Sequence, residues 1–94
     1  MQYLLLFALI IGTTPQQLAL YENKYLENPV YTEQAMHPMY GEVTVYFIYR
    51  KEDTGKNPQD CEILAMDISQ NGQTIEFYER IDGKLKVVWV KGAI

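Results

Sequence analysis

Apolar and polar positions divide the chain into a continuous apolar run, a helical segment and several strand-like segments. Residues 3–11 (YLLLFALII) form the apolar run, which ends at Gly12. Three interpretations remain open for it: a β-strand buried on both faces, an export signal or membrane anchor, and a short helix packed against a partner. A membrane-spanning helix needs about 20 apolar residues, and a signal peptide normally has a positively charged start. This chain offers neither, so we favour the buried strand.

Residues 13–28 carry the signals of one α-helix, which we expect over about 15–27. Its start is indicated by a capping residue, a first-turn proline and a capping-box partner: Thr14, Pro15 and Gln17. Apolar side chains at helical spacing form its expected core side: Leu18, Tyr21 and Tyr25. Pro29 ends the helix, because proline disfavours helical geometry in the residue before it.

The remaining pattern predicts a connector followed by strands. Residues 29–40 contain two prolines and no clear period, and are interpreted as a surface connector. From Gly41 onward, β-branched and aromatic segments alternate with turns, which predicts a four-stranded antiparallel β-meander over about 42–91. The expected strands are 42–51, 60–69, 74–81 and 84–91. The sequence therefore predicts a single α+β domain over 1–94, with an apolar segment 1–12, helix 13–28, connector 29–40 and meander 41–94.

Two turn dipeptides set the expected strand register. Asn71-Gly72 is typical of a two-residue type I′ hairpin turn. Counting from it gives four opposed pairs: Ser69 with Thr74, Ile68 with Ile75, Asp67 with Glu76 and Met66 with Phe77. Asp82-Gly83 leaves two registers open. A two-residue turn would pair Glu79 with Lys86, whereas a three-residue turn with a bulge would move Trp89 to the other face.

Both faces of this predicted sheet carry apolar side chains. On one strand Ile63 and Ala65 alternate with Leu64 and Met66. One short helix cannot cover both faces of such a sheet, so the second face needs another cover. The connector, a second copy of the chain and a partner protein are the candidates.

Composition excludes several classes of function. The 94 residues are 48% hydrophobic, which excludes a disordered tail, and the net charge of −4 provides no basic surface for nucleic acid. The single cysteine excludes an intrachain disulfide. With only one cysteine and one histidine, the chain has too few ligands for a Cys/His zinc cluster. His37, Cys61 and the Asp67–Glu76 pair are the candidate chemical groups. We interpret them as a loop histidine without chemistry, a structural cysteine and two carboxylates on a solvated face. We therefore expect no catalytic residue, no metal and no cofactor.

Tyrosine is the one compositional excess, with eight residues. Tyrosine concentrates at protein interfaces because it offers a large contact area and a polar tip. The expected interface residues are Tyr31, Tyr40, Tyr46, Ile48, Tyr78 and Trp89. The sequence predicts a non-catalytic protein-binding or inhibitory module that acts through an apolar, tyrosine-bearing sheet face, with a partner protein or with itself as a homodimer.

An alternative function depends on the apolar run. If residues 1–20 are a signal or an anchor, the chain is an exported or membrane-tethered accessory subunit, with membrane contact through residues 3–11. The sequence does not fix the localisation. The lone thiol favours the reducing cytoplasm, and the apolar run leaves export or membrane association open.

Overall fold

The structure, a computed structural model, describes residues 11–92, which form one helix and a five-stranded antiparallel sheet. Helix α1 spans Pro15–Lys24. The strands are β1 Val30–His37, β2 Gly41–Tyr49, β3 Ile63–Gln70, β4 Gln73–Ile81 and β5 Lys84–Val90. They lie in the sheet in chain order, so the sheet is a simple meander. The expected N-terminal strand, on the apolar run 3–11, lies outside the described residues except for Ile11.

Helix α1 begins as the sequence predicts and ends earlier. Thr14 Oγ1 accepts a hydrogen bond from the Gln17 N–H at 3.2 Å, and Gln17 Oε1 accepts one from the Thr14 N–H at 2.9 Å, so the capping box is confirmed. The helix ends at Lys24 rather than at residue 27. Beyond it the chain tightens into turns, and the Asn28 side chain donates to the Tyr49 carbonyl at 2.8 Å. This contact fixes the exit of the helix against β2.

The predicted connector 29–40 is wrong in part, because it contains strand β1. β1 pairs with β2 from Val30 opposite Ile48 to His37 opposite Gly41 without a register shift. The sheet therefore has five strands instead of the predicted four. Seven of the eight β1 residues are exposed, so no alternation of apolar and polar positions marks the strand. Pro29 precedes the strand and Pro38 follows it, so neither interrupts the ladder between Val30 and His37.

The predicted register of the β3–β4 hairpin is right at the turn and wrong beyond it. Asn71 and Gly72 both have positive φ, 53° and 80°, and Ser69 lies opposite Thr74. A bulge between Ile68 and Ser69 then shifts the pairing by one residue. The observed pairs are Ile68 with Glu76, Asp67 with Phe77 and Met66 with Tyr78.

The β4–β5 hairpin has the two-residue turn, so Glu79 lies opposite Lys86. The Glu79 carboxylate bonds Lys24 Nζ of α1 at 2.8 Å, a contact that the strand register alone does not reveal. Another bulge lies between Phe77 and Tyr78 and places Trp89 opposite Phe77. Trp89 therefore lies on the helix-covered face, where its Nε1–H donates to the Thr14 carbonyl at 2.7 Å.

The bulges coincide with strong curvature of the sheet. Bulged pairs increase the local twist and bend, and register shifts occur in the β2–β3, β3–β4 and β4–β5 pairs. In a flat sheet β1 and β4 would lie about 14 Å apart, since neighbouring strands are about 4.8 Å apart. The side chains of His37 on β1 and Glu76 on β4 nevertheless meet across β2 and β3, with 3.4 Å between Nε2 and Oε2. The face away from α1 is therefore concave.

Two apolar clusters form the core, one on each face of the sheet. Between the sheet and α1 lie Ile48, Ala65, Phe77, Val88 and Trp89, with Leu18, Tyr21, Tyr25 and Ile81 packed against them. The predicted core side of the helix is thus confirmed. On the concave face lie Val43, Val45, Ile68 and Ile75, with Phe47, Met66 and Tyr78 against them. At the turn end of the β1–β2 hairpin, the contact between His37 and Glu76 closes part of this face.

The two edges of the sheet differ. Along β5, the Gly12 N–H donates to the Val88 carbonyl and the Val90 N–H donates to the Gly12 carbonyl, both at 2.9 Å. A Cβ at Gly12 would lie 3.1 Å from Trp89 Cδ1, so only glycine fits this approach without displacing the indole. Along β1, no other residue in 11–92 forms a strand beyond the edge.

Candidate binding surface

The outer edge of β1 presents backbone hydrogen-bonding groups to solvent. The Tyr49 N–H donates to the Pro29 carbonyl at 3.0 Å, which fixes the alternation of the β1–β2 ladder. The β1 residues whose backbone groups bond β2 are therefore Tyr31, Glu33, Ala35 and His37. The residues between them direct N–H and C=O groups away from the sheet: Val30, Thr32, Gln34 and Met36.

This edge lacks most of the features that protect edge strands from pairing. Monomeric proteins commonly place lysine, proline or a bulge on such a strand, or point a charged side chain inward. β1 (VYTEQAMH) contains neither lysine nor proline and pairs with β2 without a bulge. Glu33 is its one carboxylate. The strand is therefore available to accept another strand along its whole length.

Exposed apolar and aromatic side chains surround this edge. Met36 is 72% exposed and Met39 is 85% exposed, and both lie at the turn end of the β1–β2 hairpin. The other large exposed side chains of the hairpin are Val30, Tyr31, Tyr40 and Tyr46. Together with the outer edge of β1 they form a surface that we call the hairpin surface. Such a group of exposed apolar side chains is typical of a protein interface.

The structure separates the six residues that the sequence singled out for an interface. Tyr31, Tyr40 and Tyr46 are exposed on the hairpin surface. Tyr78 is half-buried on the concave face, where its hydroxyl donates to Glu76 Oε1 at 3.1 Å. Two others belong to the core beneath α1, with exposures of 7% and 3%: Ile48 and Trp89. The hairpin surface therefore excludes these two.

Sequence reasoning missed three members of the hairpin surface. Val30, Met36 and Met39 lie in the stretch that was interpreted as a connector. A usable signal was present, since two prolines bracket a segment of eight residues that contains Val, Tyr and Thr, which strands favour.

A groove opens on the concave face next to β1. Its volume is about 390 Å³, and Tyr31, Glu33, Phe47 and Tyr49 line one side of it. The rings of Tyr31 and Phe47 are stacked, with centroids 6.3 Å apart. Burial raises the pKa of Tyr49, and the nearby Cys61, Tyr31 and Glu33 raise it further. We call this feature the aromatic groove.

The opposite wall of the aromatic groove is a loop braced by a buried carboxylate. Asn57, Pro58 and Gln59 form that wall. Asp53, 2% exposed, accepts hydrogen bonds from Arg50 Nε at 3.3 Å and from Lys56 Nζ at 3.1 Å. These bonds, that from Arg50 first, hold the pKa of Asp53 below its usual value. The loop is thereby held in one arrangement beside β1.

The histidine and the cysteine both make structural contacts. His37 Nδ1 accepts hydrogen bonds from the Met39 N–H at 3.0 Å and the Tyr40 N–H at 3.3 Å, so the imidazole closes the β1–β2 turn. Cys61 lies near backbone carbonyls of the loop, and burial raises the pKa of its thiol, with Asp53 next in effect. A raised pKa disfavours the reactive thiolate.

Asp67 and Glu76, interpreted from sequence as an opposed pair, lie on different faces of the sheet. Asp67 lies opposite Phe77 on the helix side and accepts hydrogen bonds from Ser69 and Thr74. Burial raises its pKa. Glu76 points to the concave face, toward His37. Within residues 11–92 no three histidine, cysteine, aspartate or glutamate side chains are grouped so as to hold a metal ion.

Comparisons with protein families, with curated proteins and with solved structures found no match for this chain. In the part of the chain that the structure describes, no helix is both long enough and apolar enough to cross a membrane.

Proposed function

We propose that this chain is a non-catalytic protein-binding or inhibitory module and that it binds through the hairpin surface. The observation that carries the proposal is strand β1, whose outward backbone groups have no strand partner among residues 11–92 while seven of its eight residues are exposed. An extended segment that adds to such an edge gains a ladder of main-chain hydrogen bonds, with side chains on alternate positions supplying selectivity.

The side chains around the edge support this proposal. Tyr31, Tyr40 and Tyr46 bring large, rigid contact areas to both faces of the hairpin, and Met36 and Met39 add adaptable apolar surface. The partner is either another protein or a second copy of this chain.

The contacts of the titratable groups support a role without catalysis. Glu76 is bonded to His37 and Tyr78, and Asp53 to Arg50 and Lys56. Each of these carboxylates thus satisfies a structural need within the fold.

The test blocks the edge without disturbing the sheet. Thr32 directs its N–H outward, so Thr32→Pro removes one edge donor and places a ring in the path of an added strand, while the β1–β2 ladder stays intact. Thr32→Ala is the matched control, because it keeps the N–H.

Light scattering of the wild-type chain first shows whether it self-associates, and pull-down with mass spectrometry from the host finds any other partner. We expect Thr32→Pro to lose the self-association or the partner that wild type and Thr32→Ala retain. Equal retention by all three proteins would contradict the proposal.

A further inference from the structure

We propose that the aromatic groove receives a cationic side chain, arginine or lysine, from a partner segment that pairs with β1. This inference rests on the proposed function, because it names the chemistry of the partner that the hairpin surface would bind.

The walls of the groove suit a cation. The rings of Tyr31 and Phe47 stack on each other, and Tyr49 is the third aromatic side chain that lines the groove. Aromatic ring faces attract a cation that lies within about 6 Å of the ring centre, and the guanidinium of arginine also stacks on them. A neutral aliphatic side chain would gain only the apolar part of this contact.

The charge of the groove also favours a cationic side chain. Glu33 is the only charged residue that lines it, and within residues 11–92 the Glu33 carboxylate has no ion-pair partner within 4.0 Å. Two basic side chains of the loop, Arg50 and Lys56, are already paired with Asp53. A partner cation would therefore meet an uncompensated carboxylate, on a chain whose net charge is −4.

The strand geometry brings such a side chain to the groove. Tyr31 and Glu33 project from β1 on the concave face, as shown by their position among the groove residues. A residue on an added strand opposite either of them would have its Cβ about 5 Å away on the same face. The long side chain of arginine or lysine can lie across the groove from that position.

The same reasoning favours a foreign partner over a second copy. β1 itself contains no lysine or arginine, so a copy that paired through the same strand would bring neither to Glu33. A self-pairing centred on Glu33 would also place two carboxylates directly opposite each other, which is destabilising.

The experiment measures binding of short blocked peptides to the full chain by amide chemical shifts. The probes are Ac-Thr-Val-Arg-Val-Thr-amide and two versions with Gln or Glu in place of Arg. In these peptides the central side chain and the two valines project to opposite faces of the added strand. We expect the Arg peptide to shift the β1 amides and to bind about fivefold more tightly than the Gln peptide, with the Glu peptide weakest.

Charge variants of the protein show which carboxylate causes the preference for the Arg peptide. Glu33→Gln should reduce the preference for Arg over Gln to about twofold or less, because only the aromatic contact remains. Glu42→Gln is the matched control: it makes the same charge change on β2, outside the groove lining, and should leave the preference unchanged. Loss of the preference in Glu42→Gln as well would show a general charge effect and overturn the inference.

Two further outcomes separate this inference from the proposed function. Peptides that shift the β1 amides equally, whatever their central residue, would overturn the cationic partner and leave the edge-binding function standing. Concentration-dependent shifts of the β1 amides without peptide would mean that a second copy occupies the edge, which overturns the inference and supports self-association. If no peptide shifts any β1 amide, the cationic partner is overturned. If the chain also does not self-associate and Thr32→Pro retains every partner that wild type retains, the edge-binding function fails as well.

Discussion

Strand β1 and the helix-covered strands β3–β5 belong to one sheet but are stabilised differently. Phe77 of β4 is 1% exposed and stacks against Tyr21 and Tyr25 of α1 at 5.8 and 6.2 Å. In contrast, Met36 of β1 is 72% exposed, and the strand is held mainly by its ladder with β2. Within residues 11–92 the buried apolar side chains all lie in β2–β5, so the side chains of β1 remain free for contacts with another molecule.

The largest expected effect compares one truncation in each region. Phe77→Ala removes a fully buried ring and should lower the free energy of unfolding by about 3–5 kcal/mol. Met36→Ala removes an exposed side chain and should change it by less than about 0.5 kcal/mol. Urea unfolding followed by tryptophan fluorescence measures both, since Trp89 lies in the core.

If Phe77→Ala does not fold, Phe77→Leu provides the same comparison with a smaller loss. Similar costs in the two regions would show that β1 is packed as tightly as the rest of the sheet, and our distinction would be wrong.

The second effect concerns the contact between Gly12 and the helix-covered core. Gly12→Ala would place a methyl group 3.1 Å from Trp89 Cδ1 and 3.1 Å from Gln17 Oε1. We expect a loss of about 1–3 kcal/mol, because overpacking displaces well-packed neighbours. Thermal unfolding measures the loss. The matched control is Gly55→Ala: both substitutions replace glycine by alanine, but Gly55 has open space around it and a φ of 87°.

Gly55→Ala should therefore lose stability through backbone strain alone, without any change at the core. Near-ultraviolet circular dichroism of Trp89 should change in Gly12→Ala and remain wild-type in Gly55→Ala. An unchanged tryptophan signal in both variants would contradict the close approach of Gly12 to the indole.

The smallest expected effect is a gain of stability at Asp67. Burial on the helix side raises the folded-state pKa of this carboxyl above its unfolded value. The folded chain then binds more protons than the unfolded chain between the two pKa values, so stability falls as pH rises through that window and stays reduced above it.

Asp67→Asn keeps a hydrogen-bond acceptor for Ser69 and Thr74 and removes the cost of a buried charge. We expect it to be more stable than wild type at pH 7 by about 0.5 kcal/mol, and equally stable below the unfolded pKa. Urea midpoints at several pH values measure the difference. A variant that is less stable at pH 7 would show that the ionised carboxylate is favoured at this position.

The sequence predicts the helix-covered region better than strand β1. Thr14 and Gln17 identify the helix start, and Asn71-Gly72 and Asp82-Gly83 identify two turns, because each signal is local and tied to backbone geometry. Bulges depend on packing between strands, so the positions of Asp67 and Trp89 could not be counted from the turns alone.

Strand β1 was missed for a related reason. An exposed edge strand has no buried side chains, so no apolar period marks it. Of the interface residues, Tyr31, Tyr40 and Tyr46 could be selected by residue type, whereas Ile48 could be placed in the core only once the pairing and the position of α1 were known.

Amide hydrogen exchange along β1 tests the central claim most directly. In the isolated chain, the N–H groups of Val30, Thr32, Gln34 and Met36 should exchange fast, while those that bond β2 are protected. In complex with the binding partner, all of them should be protected. Protection of the outward amides in the isolated monomer, or their continued fast exchange in the complex, would contradict the claim that β1 is the binding edge.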